Sequence, residues 1–520
     1  MGGRKRRNRH ADDIQTRVDG AVSSGQPSRN RKRTTHSPNK HAIQTSLDAT
    51  VASALFWDFA HNIQPEQARR GRPCETTPAA IILVDITAAF TGSIRSAISY
   101  LEDNQTWKRL TATARQAWPN DNTRRLPERP PSRNQHTRFR NRHLTNTSKQ
   151  VDTVQRIARD IAITLLDTLD MFNPNAGPFT NPDQTQLLTG DGTFIKSMYN
   201  TNDTRLVDPH TGEIFHRRTD PDADWTNNTK GNAPNYNLVD VVAQNTHPGE
   251  RIIIDATLRK NGRKNGNGIG DGEVFCDLAN AIHDELRTLG RDVYAAAYDM
   301  ALDATDYDRL LRHGVSPICK VALTKAGKIH EHNLGDCTFT QTDTTKTTFK
   351  VVAIGGTPTI QLPGIDGPIT VTLERKQTKR ASRKNGYQIS SFFRIPELPE
   401  VPADLQNAVT RIHHHTTGRE INNPNLSPRT RNLRVFPPTD PTFERLFGCR
   451  ETTESMHHHF KTTLVNRRAR TVGALRLRHS FHTYQMSVNI TTALRYAERT
   501  DNWSMFGAWR PDSYSPAVAA

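Results

Sequence analysis

QTQLLTGDGTFIKSM, residues 184–198, decides the fold class. Leu187 and Leu188 lead into Thr-Gly-Asp-Gly-Thr and then Phe194-Ile195, a strand-like run that carries one acid, Asp191, between two glycines. Gly190 and Gly192 leave room for a substrate backbone or for metal-bound water. A carboxylate inside an apolar strand is costly unless a partner or a metal neutralises it. That sets Asp191 apart from nearby loop acids such as Asp183, Asp203 and Asp208, with an Asp-Gly turn as the plain alternative.

Downstream, the short apolar runs VDVVAQN (239–245), RIIIDATL (251–258), DVYAAAYDM (292–300) and SPICKVAL (316–323) surround one helix, VFCDLANAIHDELRTLG (274–290). Strands interleaved with a helix predict an α/β core with a central sheet. AAAYDMALD (295–303) repeats the grammar of the first strand, and its small apolar run delivers Asp299 at the C-terminal end, where open α/β sheets place ligands. Asp303 and Asp306 are weaker alternatives, and Asp255, at the end of RIIIDATL, is a rival ranked below Asp299. Residues 336–395 alternate in Thr, Val, Ile and Gly with short turns, as a β-rich insertion does, and helical character returns at 440–466 and 471–499.

Upstream, residues 1–45 have no apolar periodicity and predict a disordered basic tail. Leu55, Phe56, Phe59 and Ile63, then Ile98, Leu101, Trp107 and Leu110, recur at helical spacing on either side of a Gly-Arg-Pro turn at 71–73. This predicts a small helical domain over 46–118, for DNA binding or dimerisation. A Pro- and Arg-rich linker follows at 119–146, then an amphipathic helix at 151–172. The expected divisions are a basic linker and helix at 119–183, a core in two parts at 184–335 and 401–505, and the insertion at 336–400.

The net charge of +17 over 520 residues favours a polyanionic partner. Residues 1–40 contribute +8 and residues 123–149 contribute +7, so two segments carry most of the excess. The longest apolar stretch, AAIILVDITAAF (79–90), contains Asp85 and is too short to cross a bilayer. The N-terminus lacks a secretory apolar region, so the expectation is a cytoplasmic protein with no membrane partner. Cys74, Cys276, Cys319, Cys337 and Cys449 are scattered without a Cys-x-x-Cys pair and read as free thiols. The histidine runs 413–415 and 457–459 point to different faces if helical and are poor chelators of one ion.

FGCRETTESMHHHFK (447–461) spaces Phe447, Arg450, Glu454 and Lys461 at intervals of three, four and seven, which return to one face of a helix. Phosphoryl transfer on nucleic acid uses such a set: a carboxylate for metal, cations for phosphates and an aromatic for a base. An exposed helix with an Arg-Glu pair is the bland alternative.

A strand Asp, a second strand Asp and a helical Glu, in that order, resemble the triad of the DDE transposases. The spacing of Phe447, Arg450, Glu454 and Lys461 resembles the Tyr-Arg-Glu-Lys signature of one group of insertion-sequence transposases. Phe447 stands where that family usually has Tyr, and Met300 follows Asp299 where members often have Gly. The resemblance covers about 184–500, and the helical region resembles the N-terminal portion of actinobacterial transposases.

The resemblance implies a ribonuclease-H-like α/β core whose β-rich insertion separates the second Asp strand from the Glu helix. It implies Asp191, Asp299 and Glu454 as ligands of two divalent ions, Mg2+ with Mn2+ as the alternative, about 3.5 to 4 Å apart. Water would release a 3′-hydroxyl at each element end, and that hydroxyl would attack target DNA within a homodimer on double-stranded transposon ends. Arg450, Lys461 and Phe447 would contact the ends, with Arg375, Lys376, Lys379 and Arg380 of the insertion as further DNA-binding cations. The helical region and the basic stretch 123–149 are the candidates for recognising the inverted repeats. A prokaryotic, nucleoid-associated location follows. Two other functions fit the same residues: an inactive DNA-binding relic, and a ribonuclease-H-like nuclease without strand transfer.

Overall fold

The computed structural model describes residues 40–65, 76–199, 204–207, 211–216, 218–228, 231–259, 269–299, 302–323, 327–364, 367–384, 386–415, 429–464 and 467–511. Most of the expected basic tail, the turn at 71–73, Cys74 and Met300 lie outside these residues. The chain divides into two compact units, residues 1–43 and 44–520. Of the first, only the opening residues of the helix Lys40–Ala52 are described; the rest of the fold belongs to the second.

Helices Ala54–Asn62, Pro78–Thr91, Ile94–Leu101, Asn104–Ala117 and Arg133–Phe139 precede the long helix Ser148–Thr168. Pro78–Thr91 holds the apolar stretch; Thr77 caps its start by accepting from the Ala80 N–H, and Gly92 ends it. Nearly all of this helix is buried, Asp85 included. Asp85 Oδ1 and Oδ2 each lie 2.9 Å from a histidine Nε2, those of His136 and His479. His479 sits on the C-terminal helix Ala474–Thr500, so the helical region shares its interior with the end of the chain instead of standing as a separate domain.

His136 lies in the stretch expected as a linker. A capping box between Ser132 and Gln135 starts a helix there, His136 and Phe139 are buried, and a π-turn, Arg140–Leu144, follows. One His and one Phe carry this packing, too few to make an apolar stripe, so composition alone suggested a linker. Arg129, Arg133, Arg138, Arg142 and Lys149 remain exposed.

The α/β expectation holds. The central sheet comprises β1 (Leu187–Lys196), β4 (Asp224–Asn228), β5 (Gly231–Gln244), β6 (Arg251–Leu258), β7 (Ala295–Ala297) and β8 (Ser316–Ile318), with a separate hairpin of β2 (Arg205–Val207) and β3 (Ile214–His216). Its order is β6-β5-β1-β7-β8, with β4 sharing the outer edge of β5. β5 is antiparallel to β1 and β6, whereas β1, β7 and β8 are parallel. Helix Asp271–Thr288 covers one face: Phe275 fills the space over Gly190 so tightly that a Cβ there would run into its ring. On the other face Ile195, Leu238, Val242 and Ile253 pack against Met456, Phe460, Phe481 and Tyr484 of the last two helices, Glu451–Thr463 and Ala474–Thr500.

The insertion is a seven-stranded antiparallel sheet of β9 (Glu331–Thr340), β10 (Lys346–Ile354), β11 (Thr357–Gly364), β12 (Gly367–Thr372), β13 (Glu374–Arg383), β14 (Gly386–Arg394) and β15 (Val409–His413), in the order β12-β11-β10-β9-β15-β14-β13. It outruns the expected 336–400 at both ends. β15 returns to pair with β9 and β14, which a five-residue strand isolated behind a loop did not announce. Among the described residues no single helix is long and apolar enough to cross a membrane, and Cys276, Cys319, Cys337 and Cys449 are free.

Burial alone would raise the Asp85 carboxyl, but His136 and His479 hold it well below the usual carboxylate range. Its contribution to stability is therefore complete above the unfolded value of 3.8 and lost as pH falls below it. Asp85→Ala is expected to cost about 3 kcal/mol in denaturant unfolding at pH 7, by stranding two buried imidazoles. A loss below about 1 kcal/mol would show the bridge to be unimportant.

Candidate active site

Strand alternation sends Thr189, Asp191, Thr193 and Ile195 of β1 to the face covered by helix Glu451–Thr463. Thr189 Oγ1 lies 3.0 Å from Thr453 Oγ1, Asp191 Oδ2 lies 3.7 Å from His457 Nδ1, and Lys461 Nζ donates to Thr193 Oγ1 at 2.6 Å. Two residues of strand advance about 6.6 Å. Four residues of helix advance about 6 Å, so helix and strand run in step through three successive contacts.

Arg450 is the cap residue of that helix. Its guanidinium lies 3.7 Å from Asp191 Oδ2 and donates to Glu454 Oε1 at 2.7 Å, so one cation faces both carboxylates. Asp191 is 16% exposed and Glu454 54% exposed. Asp299 follows the C-terminal end of β7, the strand paired with β1. Burial pushes the Asp191 carboxyl up to about 6; His457 and Arg450 pull it down, and the negative charge of Asp299 adds to the rise. Asp191 and Asp299 are thus electrostatic neighbours.

The expected stripe on one helix is broken. Phe447 belongs to the preceding helix, Pro441–Gly448, and the chain turns at Cys449 before Glu451–Thr463 begins. Phe447 nevertheless stays at the site: the Arg450 guanidinium lies 5.4 Å from its ring centre, the Lys320 Nζ 5.2 Å, and Phe443 stacks on it at 5.2 Å. Asp255, the rival ligand, pairs across from Val241, the neighbour of Asp240 along β5, so it issues from the opposite face of the sheet. There it bonds Gln155 at 2.7 Å and Arg159 at 3.2 Å, which makes it a structural ion pair.

Two of the insertion cations expected to bind DNA are engaged in the fold. Arg375 is 5% exposed and its Nε donates to Asp440 at 2.6 Å, at the cap of the helix that carries Phe447. Arg380 is held by Asp292 and surrounded by Phe179, Tyr294 and Tyr387. Both fasten the insertion to the core. A run rich in Arg and Lys gives no sign of which members point inward. Lys376 and Lys379 are exposed.

Three residues at the site escaped the sequence reading. Asp240 lies directly across from Asp191 and is fully buried, with Oδ2 2.6 Å from His457 Nε2 and Oδ1 unpartnered. Its signal was there, since an acid within VDVVAQN meets the rule that singled out Asp191. His457 was read only as part of a histidine run, whose members diverge: His459 Nδ1 lies 2.8 Å from the Tyr484 hydroxyl. In the other run, at a strand end, His414 meets Ser391 at 2.8 Å and His415 accepts from the Ile389 N–H. Lys320, just past β8, had no signal in sequence.

Asp191, pushed up by burial and by the neighbouring charge of Asp299, forms with it a half-buried pair of acids whose chemistry fits a divalent cation. Among the described residues no three His, Cys, Asp or Glu side chains are gathered closely enough to hold an ion as they stand. Glu454, expected from the sequence as a third ligand, is turned to Arg450. No protein-family profile and no curated protein matches this chain.

Asp191 binds a proton more tightly when folded, near pH 6, than when unfolded, near 3.8. Its contribution to stability therefore falls as pH rises through that window, by at most about 3 kcal/mol. In metal-free buffer, the Tm of wild type relative to Asp191→Asn is expected to drop between pH 4 and pH 7, and millimolar Mn2+ at pH 7 to restore it in wild type alone. A difference independent of pH would refute the assignment of a strained carboxylate.

Proposed function

We propose that this protein is a DNA transposase of the DDE type, with a ribonuclease-H-like core, which cuts and joins the ends of its own insertion sequence. The observation that carries the reading is the meeting of Asp191, on the first strand, with Arg450 and the helix of Glu454 and Lys461, more than half the core away in sequence. Support comes also from the sheet order, with one antiparallel strand among parallel ones, and from the insertion between β8 and the Glu454 helix.

On this reading Asp191, Asp299 and Glu454 are the residues that would hold the divalent cation, Mg2+ or Mn2+, and Arg450, now paired with Glu454, would bind phosphate. When bound, the cation supplies Lewis-acid activation and charge neutralisation at the scissile phosphate. Arg450, Lys461 and Lys320 bind phosphates beside the break, and Phe447 supports the end nucleotide. Asp240 holds His457 in place behind Asp191. The exposed cations Arg129, Arg133, Arg138, Arg142 and Lys149 offer the helical region a duplex-binding surface for the inverted repeats, in a homodimer that pairs two ends.

The test is Mg2+-dependent cleavage and joining of a duplex carrying the element's terminal repeats, wild type against Glu454→Gln. Wild type is expected to cut and join, with the variant at least about a thousandfold slower, as loss of several kcal/mol of charge stabilisation requires. Binding without cutting by either protein favours the inactive relic, cutting without joining favours the nuclease, and undiminished cutting by the variant overturns the role of Glu454.

A further inference from the structure

The seven-stranded sheet has two unlike faces. One packs Phe339, Val351, Ile360, Leu362, Phe393 and Ile412 into an apolar core. Alternation sends the neighbouring residues to the other side, and strand register shows which of them share it. Lys346 and Lys350 on β10 lie across from Thr340 and Asp336 on β9; Phe392 on β14 lies across from Arg411 on β15; Lys379 on β13 lies across from Ser390. Arg383 continues the row of Lys379. Lys346, Lys350, Lys379, Arg383 and Arg411 are exposed, and none is held in an ion pair among the described residues. The acids on the same face are Asp336 and Glu331 on β9 and Glu374 on β13, the last paired with Arg394.

We propose that this outer face is a docking surface for the sugar-phosphate backbone of duplex DNA, separate from the contacts at Arg450 and Lys461. The proposal rests on the transposase reading and adds to it a second site of grip. From β10 to β13 the cations span four strand spacings, about 19 Å, and Lys346 to Lys350 spans about 13 Å along the strand. One phosphate or nucleotide cannot bridge that area, whereas a duplex presents a charge every ~1.7 Å of its axis. The half-exposed Phe392 has the Lys379 Nζ 5.1 Å and the Arg411 guanidinium 5.7 Å from its ring centre. The aromatic holds both long side chains upright on a face that has no core to fill. A protein partner would ask for an apolar centre with few charges, the reverse of this composition. The sheet is braced for the load, since Arg375 ties β13 to Asp440 at the head of the Phe447 helix.

The experiment uses the full chain and a 30-base-pair duplex of unrelated sequence, with affinity measured by fluorescence anisotropy across a salt series. The variant is Lys346→Glu/Lys379→Glu/Arg411→Glu, and the Gln version of the same triple serves if the Glu version misfolds. Wild type is expected to bind with a steep salt dependence. The variant should lose at least about tenfold in affinity at 0.1 M salt and about 2 to 3 units of slope, near 0.9 for each phosphate contact removed. Unchanged affinity and slope overturn the docking surface while leaving the transposase reading intact, because wild type still binds. Altered self-association with unchanged DNA binding also overturns it, in favour of a protein interface. Wild type that does not bind DNA overturns both.

Discussion

Everything at the candidate site depends on one geometric agreement, the matched advance of β1 and helix Glu451–Thr463. Thr189, Asp191 and Thr193 meet Thr453, His457 and Lys461 in order, beside an apolar contact of Ile195, Met456 and Phe460. A slip of one residue in the strand would send Asp191 to the opposite face, against Phe275 and Asp271. Met456 and Phe460, buried between sheet and helix, resist that slip, so apolar packing sets the position of the charged groups.

The same arrangement explains why acids can sit so close together. Asp191 and Asp240 are directly opposed on neighbouring strands, a placement that repels if both are ionised. His457 lies between them, and Arg450 approaches the same Asp191 oxygen, Oδ2. Burial and Asp299 still leave Asp191 raised to about 6, so local cations do not fully balance the site. On the proposed reading, a divalent ion would complete that balance and phosphate would take Arg450 from Glu454.

Much of this was legible in the sequence, for identifiable reasons. The α/β core followed from short apolar strands around a helix, and Asp191 and Asp299 stood out as acids within apolar runs. Glu454 followed from spacing to its cations, although the stripe proved to be two helices joined at Cys449. What stayed hidden depends on partners distant in sequence. Whether Arg375 and Arg380 face solvent is decided by Asp440 and Asp292, not by the composition of β13. His136 and His479 gain their importance from Asp85, and β15 gains its place from β9 and β14.

The most direct measurement of the central claim is anomalous scattering from Mn2+ in crystals of the protein with a short duplex that ends at its terminal repeat. A manganese peak bounded by Asp191 and Asp299 is expected, with the Glu454 carboxylate turned from Arg450 toward the metal and Arg450 on a phosphate. A duplex bound at the site with no metal between those carboxylates, and the Arg450 to Glu454 pair still closed, would contradict it.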